Sequence, residues 1–420
     1  MRRFGALVSG CALLAVTGCV ASDEEPPAPP IESSLPLERP AEDPPRPADL
    51  DRASSMKFHF IDIGQGDATL LEFPCGAVLI DTGGELNDEF DGVQAITDYL
   101  EAFFNRRPDL NRTLDLMVIT HPHLDHVRAV PEILSRFTVR NVVDNGSEDK
   151  HDHGSDLQID LHRWLVDHRD SVGYHHARAS EIPVPEGLSN AIIDPIGSCD
   201  ASPIDPKLTL LWGEVTEELD TYDDDPNNHS VALRVDFGQT SALFTGDLEF
   251  VGLSRLFDHF KGHESMFDVD IYQVGHHGSK NATTRYLMQA MTPELAVISA
   301  GPYERNVDWT ARKYGHPNLE ALRHLVDAKY GVSGFREEAV EVWVGLKGAW
   351  KNERKEVFER RAIERAVYTT GWDGSVVVTG YDNGWLDVET ERSVQWARLK
   401  GNPKNGEPAL ATARPRGATP

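Results

Sequence analysis

His121-Pro122-His123-Leu124-Asp125-His126 lies between the apolar run Leu116-Met117-Val118-Ile119 and a helix-like segment from Leu124 to Phe137. The run reads as a buried strand, so three imidazoles and a carboxylate gather where a strand ends and a helix begins. Imidazole and carboxylate are the donors that a borderline ion such as zinc takes, and spacing this tight lets one turn serve two neighbouring ions. His121 and His123 would face one metal, Asp125 and His126 the other.

Working outward, the pattern of strands and polar turns continues on both sides. Lys57 to Ile63, Ala68 to Phe73 and Ala77 to Asp81 read as strands, with Gly64-Gln65-Gly66-Asp67 as a turn between the first two. Phe90, Val93, Ile96, Leu100 and Phe103 stand at helical spacing, which predicts an amphipathic helix over 90–104. A further strand, Val139 to Asp144, opens into a polar loop carrying His151, Asp152 and His153; these and His175 and His176 read as solvated loop histidines. In the second half, Val231 to Phe237 and Ser241 to Phe244 form a hairpin preceded by Asn227-Asn228-His229-Ser230 and followed by Thr245-Gly246-Asp247. A helix pattern runs through Leu256, and a strand from Val269 to Val274 leads into Gly275-His276-His277-Gly278-Ser279. Ala366 to Thr370, Ser375 to Thr379 and Trp385 to Val388 are expected to finish the second sheet, with charged Lys351 to Arg365 a helix or insertion before them.

Charge and length bound the function. Lys and Arg total 41 against 68 Asp and Glu, for a formal charge of −27 over 420 residues. That field opposes capture of nucleic acid by the whole surface, which disfavours nucleic acid as a partner without removing the option of a local basic channel. The length is enough for a large core.

The N-terminus reads as a targeting signal. Arg2 and Arg3 precede the apolar stretch Ala6 to Val16, too short to span a bilayer, and Val16-Thr17-Gly18-Cys19 resembles a bacterial lipobox. Residues 1–18 would then be a lipoprotein signal peptide, Cys19 the lipidation site, and the protein exported and held to the membrane through that lipid alone. Residues 19–55, rich in proline and acid, form a semi-rigid tether, 56–395 the folded domain, and 396–420 a disordered tail. Cys75 and Cys199 remain in the exported part, where an oxidising compartment allows them to pair or to stay free.

Phe60-Ile61-Asp62-Ile63-Gly64-Gln65-Gly66-Asp67, Leu79 to Gly83, Thr120 to His126, Thr245-Gly246-Asp247, Val274 to Ser279 and Tyr314-Gly315-His316-Pro317 together resemble the metallo-β-lactamase superfamily. They are most similar to its branch containing the hydrolase domain of the competence protein ComEC. The resemblance implies an α+β fold, an αββα sandwich of two mixed β-sheets flanked by helices, with the site at one edge. It implies metal ligation by His121, His123, Asp125, His126, Asp247 and the His276–His277 pair, either member of which could be the last histidine. His229 is a candidate third ligand to the first metal, and Asp125 is the catalytic candidate as well as a ligand. Asp62, Asp67, Asp81, Ser279 and His316 would support the ligands or meet substrate. The two glycines usual after the metal motif are here Arg128 and Ala129; Arg128 would meet an anionic substrate or, more simply, form a surface ion pair.

Two divalent ions, zinc by preference with manganese as the alternative, would lower the pKa of a shared water, making a metal-bound hydroxide the nucleophile. The expected activity is hydrolysis of a phosphodiester, either a small one or one derived from the cell envelope. The alternatives are hydrolysis of a lactone, lactam or thioester, and a non-catalytic metal-binding surface module.

Overall fold

The structure, a computed structural model, describes residues 55–147, 154–215, 225–346 and 358–392. The signal peptide, Cys19, nearly all of the tether, the tail and the loop residues His151, Asp152 and His153 lie outside them. Among the described residues no helix is long and apolar enough to cross a membrane.

Two mixed sheets form the body. The first has eight strands, in the spatial order Leu386–Thr390, Val376–Tyr381, Ser55–Phe60, Thr69–Phe73, Gly76–Ile80, Leu116–Val118, Asn141–Asp144 and Gly173–His176. The second has six, in the order Val367–Thr369, Leu295–Ile298, Ile271–Gln273, Thr240–Phe244, Ala232–Phe237 and Lys207–Trp212. Side chains of a strand alternate between its faces, and in the first sheet both faces are buried, so its strands are apolar almost throughout. Phe58, Phe60, Leu71, Val78, Ile80, Leu116 and Val118 enter the core between the sheets, where Phe58 and Phe60 each lie 6.5 Å from Phe244 of the second sheet. Leu70, Leu79, Met117 and Val142 point the other way, into a core beneath the helices Gly92–Arg106, Val130–Arg136 and Ser155–Asp167. Helix Gly92–Arg106 presents Ile96, Leu100, Phe103 and Phe104 to that core and begins on Asp91, whose side chain accepts from the Gln94 amide.

Four expectations need correction. The segment Leu124 to Phe137 is two helices, Leu124–Val127 and Val130–Arg136. Pro131 sits in the first turn of the second, where a missing N–H costs nothing, and the Ala129 amide leaves the helical ladder to donate to Thr82 O. Of the closing strands only Val367–Thr369 joins the second sheet; Val376–Tyr381 and Leu386–Thr390 extend the first beside Ser55–Phe60. Phe358–Arg365 is a strand, not a helix, and pairs antiparallel with Phe335–Gly345 in a separate two-stranded sheet. Likewise Gly173–His176 is an edge strand rather than a loop, and His176 Nε2 lies 2.7 Å from Glu214 Oε2.

Cys75 and Cys199, 124 positions apart in sequence, are disulfide-bonded, with Cα atoms 6.5 Å apart. Nearby, Arg107 donates to Glu72, Asp109 and the carbonyls of Phe73 and Pro74, locking the end of helix Gly92–Arg106 to the strand. Burial would raise the Glu72 acid, but hydrogen bonds from His59 and Arg107 outweigh it and bring the pKa to about 2. A carboxylate depressed on folding stabilises the protein above its unfolded value and loses that contribution as pH falls through the folded one. The thermal midpoint of the wild type is therefore expected to drop between pH 4.5 and about 2. In Glu72→Gln, scanned calorimetrically over the same range, the drop should be smaller and start from a lower midpoint.

Candidate metal centre

Parallel strands place the site. Gly76–Ile80, Leu116–Val118 and Asn141–Asp144 run parallel in the first sheet, and Thr240–Phe244, Ile271–Gln273 and Leu295–Ile298 in the second. Ligands of open parallel sheets gather beyond the carboxyl ends of the strands. Here the turns after those ends are Asp81-Thr82-Gly83, Thr120 to His126, Thr245-Gly246-Asp247 and Gly275 to Gly278, and the sandwich brings both sets to one edge.

Asp247 is the hub. Its Oδ2 lies 3.3 Å from His126 Nε2, 3.4 Å from His277 Nε2, 3.8 Å from His276 Nε2 and 3.9 Å from His121 Nε2. His277 Nε2 is also 3.2 Å from Asp125 Oδ2, and His121 Nε2 is 3.0 Å from His123 Nδ1. Donor atoms of Asp67, His126, Asp247 and His277, all four residues buried, lie within 4.8 Å of one another. His126 Nε2, His277 Nε2 and Asp247 Oδ1 are buried without a hydrogen-bond partner. Orphaned polar atoms are rare in a protein interior and each needs a reason. Separations of 3.2 to 3.4 Å among Asp125, His126, Asp247 and His277 match those between donors about 2.0–2.1 Å from one tetrahedral ion. The residues present therefore fit a divalent cation. His121, His123 and Asp247 form the more open neighbouring set.

A second layer aims these donors. Asp81 accepts from His126 Nδ1 at 2.7 Å and from the Thr120 amide and hydroxyl at 2.8 Å each, so one carboxylate orients an imidazole and ties the two turns together. His277 Nδ1 donates to Ser299 O at 2.9 Å, and Gln273 Nε2 donates to Asp67 Oδ1 at 2.6 Å. His276 Nδ1 lies 3.2 Å from Glu249 Oε1. His276 and His277 both adopt left-handed backbone, φ 50° and 53°, as does Asp81 at φ 56°. That conformation costs a non-glycine residue roughly 1–3 kcal/mol. Its effect here is to turn two successive imidazoles toward Asp247.

Electrostatics follow from the crowding. Burial pushes the Asp67 acid up to about 6. Burial works the same way on Asp247, but His277, His126 and His276 reverse it and hold the carboxyl well below its usual range. Burial opposes charge on His126 and His277, yet Asp247 with Asp81 and Asp125 respectively raises both well above an ordinary histidine. A dication supplies the same positive charge to the three carboxylates.

The pair left open in the sequence divides clearly: His277 is fully inside the group of four, whereas His276 is partly exposed and turns Nδ1 to Glu249. Asp67 belongs to the group itself rather than to its support. His229 turns Nδ1 to the amide of Val215, 3.1 Å away, and it is Ser230 that meets the site, its hydroxyl 3.3 Å from His121 Nδ1 and accepting from the Asp247 amide. Asp62 is committed to Arg392 and to the Gly64 amide. Ser279 donates its amide to His316's neighbour in space, His276, through the carbonyl oxygen. His316 stacks over His277, ring centres 6.0 Å apart. Arg128 forms no ion pair among the described residues: half-buried, its Nε donates to Gly84 O at 2.8 Å. The sequence reading missed Ser230, Glu249 and Tyr314. Glu249 stands two residues beyond Asp247 and Ser230 next to His229, so position was the only signal either carried.

Residues 61–301 match the Metallo-beta-lactamase superfamily model, more than half of the chain. The chain belongs to the metallo-beta-lactamase superfamily. Its buried His/Asp cluster makes it a metal-dependent hydrolase of that superfamily. It is similar to ComE operon protein 3 of Bacillus subtilis (strain 168), 25% identical over 287 residues, covering 65% of this chain and 31% of that protein. It is also similar to competence protein ComA of Neisseria gonorrhoeae, 31% identical over 138 residues, covering 32% of this chain and 18% of that one. The chain thus spans a third or less of the length of either relative. Among solved structures, the metallo-beta-lactamase fold protein YhfI from Bacillus subtilis is 13% identical, covering 66% of this chain and 83% of that chain at a TM-score of 0.31.

Two substitutions test how this superfamily site is held. In Asp81→Asn the brace on His126 is weakened, and metal affinity measured by competition with a chromophoric chelator should fall about 10- to 100-fold. A Cβ added at Gly83 would lie 1.4 Å from the Asp125 carbonyl oxygen. Gly83→Ala should therefore lower stability by about 1–3 kcal/mol or more in chemical denaturation and shed metal on dialysis.

Proposed function

We propose that this metallo-beta-lactamase superfamily chain is an exported, lipid-anchored phosphodiesterase that works with two divalent ions. The carrying observation is the single buried oxygen, Asp247 Oδ2, with four imidazoles within 3.9 Å. One carboxylate shared between two donor sets is what a two-ion site requires. His121, His123 and Asp247 would hold one ion, and Asp67, Asp125, His126, His277 and Asp247 the other. Zinc suits the imidazoles, while three carboxylates in one site favour a harder ion such as manganese more than the sequence motif alone suggested. Bound ions of this kind lower the pKa of water and offset charge on the attacked phosphorus. The chain's own residues do the positioning. Asp81 and Ser299 O fix the ring nitrogens of His126 and His277 that face away from the site. Asp125 is kept ionised although burial opposes it, because His277 and His126 stand beside it.

Phosphodiesters are favoured over carbonyl substrates by the Gly-His-His-Gly-Ser turn, the feature shared with the ComEC branch. The names of the relatives place them in competence, but the charge of −27 favours a small or envelope-derived phosphodiester over a long nucleic acid. Export and the lipid anchor rest on residues 1–19, and the Cys75–Cys199 bond supports an oxidising compartment.

The full chain, loaded with zinc or manganese, should hydrolyse an aryl phosphodiester at a rate that chelation removes. Asp125→Ala should lower kcat at least about 100-fold, by analogy with loss of one electrostatic contact to the transition state. Full activity in Asp125→Ala would overturn the proposal, and a fully loaded wild type that cleaves only lactones or thioesters would redirect it to carbonyl chemistry.

A further inference from the structure

Arg128 stands two residues past His126, between the two short helices of the metal turn, where the ComEC branch has glycine. Its side chain is half-buried and anchored by one bond, Nε to Gly84 O at 2.8 Å. No carboxylate among the described residues forms an ion pair with it. The ionisable groups that act on it are Asp125, one of the site's own carboxylates, and Tyr314. A guanidinium partly withdrawn from water without a counter-ion is costly, and the residue type is suited to bidentate contact with phosphate.

Tyr314 and His316 come to the metal centre from another element, against the His276–His277 turn. The Tyr314 ring stacks on His316, centres 5.8 Å apart and planes 25° apart. His316 in turn stacks on His277 at 6.0 Å and 28°, and meets His276 edge-on at 5.9 Å. His316 Nδ1 is buried and without a hydrogen-bond partner. The ring contacts set the Tyr314 phenol and the His316 imidazole beside His277 and His276, and the charges of Asp125 and Arg128 act on that phenol.

We propose that Arg128, with Tyr314 and His316, forms an anion subsite that grips the non-reacting oxygens of the substrate's phosphoryl group. This rests on the phosphodiesterase reading and sharpens it: the subsite selects an anionic ester over a neutral lactone or thioester. Arg128 is a binding residue here, with Nε spent on Gly84 and both terminal amino groups left for the ligand.

The test uses the full chain with its metals bound and inorganic phosphate as the probe, titrated by calorimetry into wild type, Arg128→Met, Arg128→Lys and Tyr314→Phe. Methionine keeps apolar bulk and removes the charge. Phosphate binding should weaken about 10- to 100-fold in Arg128→Met, as expected for loss of a charge-assisted pair. Arg128→Lys should recover part of it, and metal content and thermal midpoint should stay at wild-type values. With an aryl phosphodiester, KM should rise while kcat changes little, and turnover of a neutral aryl ester should not move. Equal phosphate affinity in wild type and Arg128→Met overturns the subsite, whatever is hydrolysed, and so does loss of metal in Arg128→Met. Arg128-dependent phosphate binding without any phosphodiester turnover overturns the phosphodiesterase reading and leaves the subsite standing.

Discussion

One carboxylate oxygen, Asp247 Oδ2, organises this molecule. It is buried, it faces four imidazoles, and the nearest competing acid, Asp125, shares His277 with it. Burying a charged group is unfavourable unless it is paired or bound to metal, and imidazoles are poor permanent partners because they ionise near neutrality. Packing three carboxylates and several histidines into a dry corner makes sense only if a cation completes the set. The orphaned nitrogens of His126 and His277 express the same demand from the other side.

Everything around that oxygen holds it against relaxation. Asp247 reaches it from the second sheet, Asp125 and His126 from the first, so the spacing of the site is the spacing of the sandwich. Phe58 and Phe60 packed against Phe244 set that spacing a few residues from the turns themselves. Asp81 ties two adjacent strand ends of the first sheet through Thr120 and His126. In the second, three residues after Gln273, the chain turns left-handed twice to present both histidines. Local backbone strain of this kind persists because the two cores are large enough to impose it.

The surface of the chain and its site have opposite tempers. Acidic residues outnumber basic ones widely, yet the metal turn carries the Arg128 guanidinium, held by Gly84 O and in no ion pair among the described residues. A general negative field repels polyanions at range, while a single local cation attracts a small anion only at close approach.

Much of this was legible in the residues. The short apolar strands such as Gly76–Ile80, the apolar run before His121 and the short motifs at strand ends determined the sandwich and the principal donors, because apolar runs and metal-ligand spacing are local properties. The sequence placed the closing strands in the wrong sheet, since Val376–Tyr381 is equally apolar whichever neighbour it pairs with. It also joined two helices that the Ala129–Thr82 bond separates. Only the tertiary structure decided that His277 rather than His276 enters the tightest group, that Ser230 rather than His229 faces His121, and that Asp67 is a donor. Adjacent residues of one turn have the same chemistry on paper; which of them points inward depends on backbone angles set by strands many residues away.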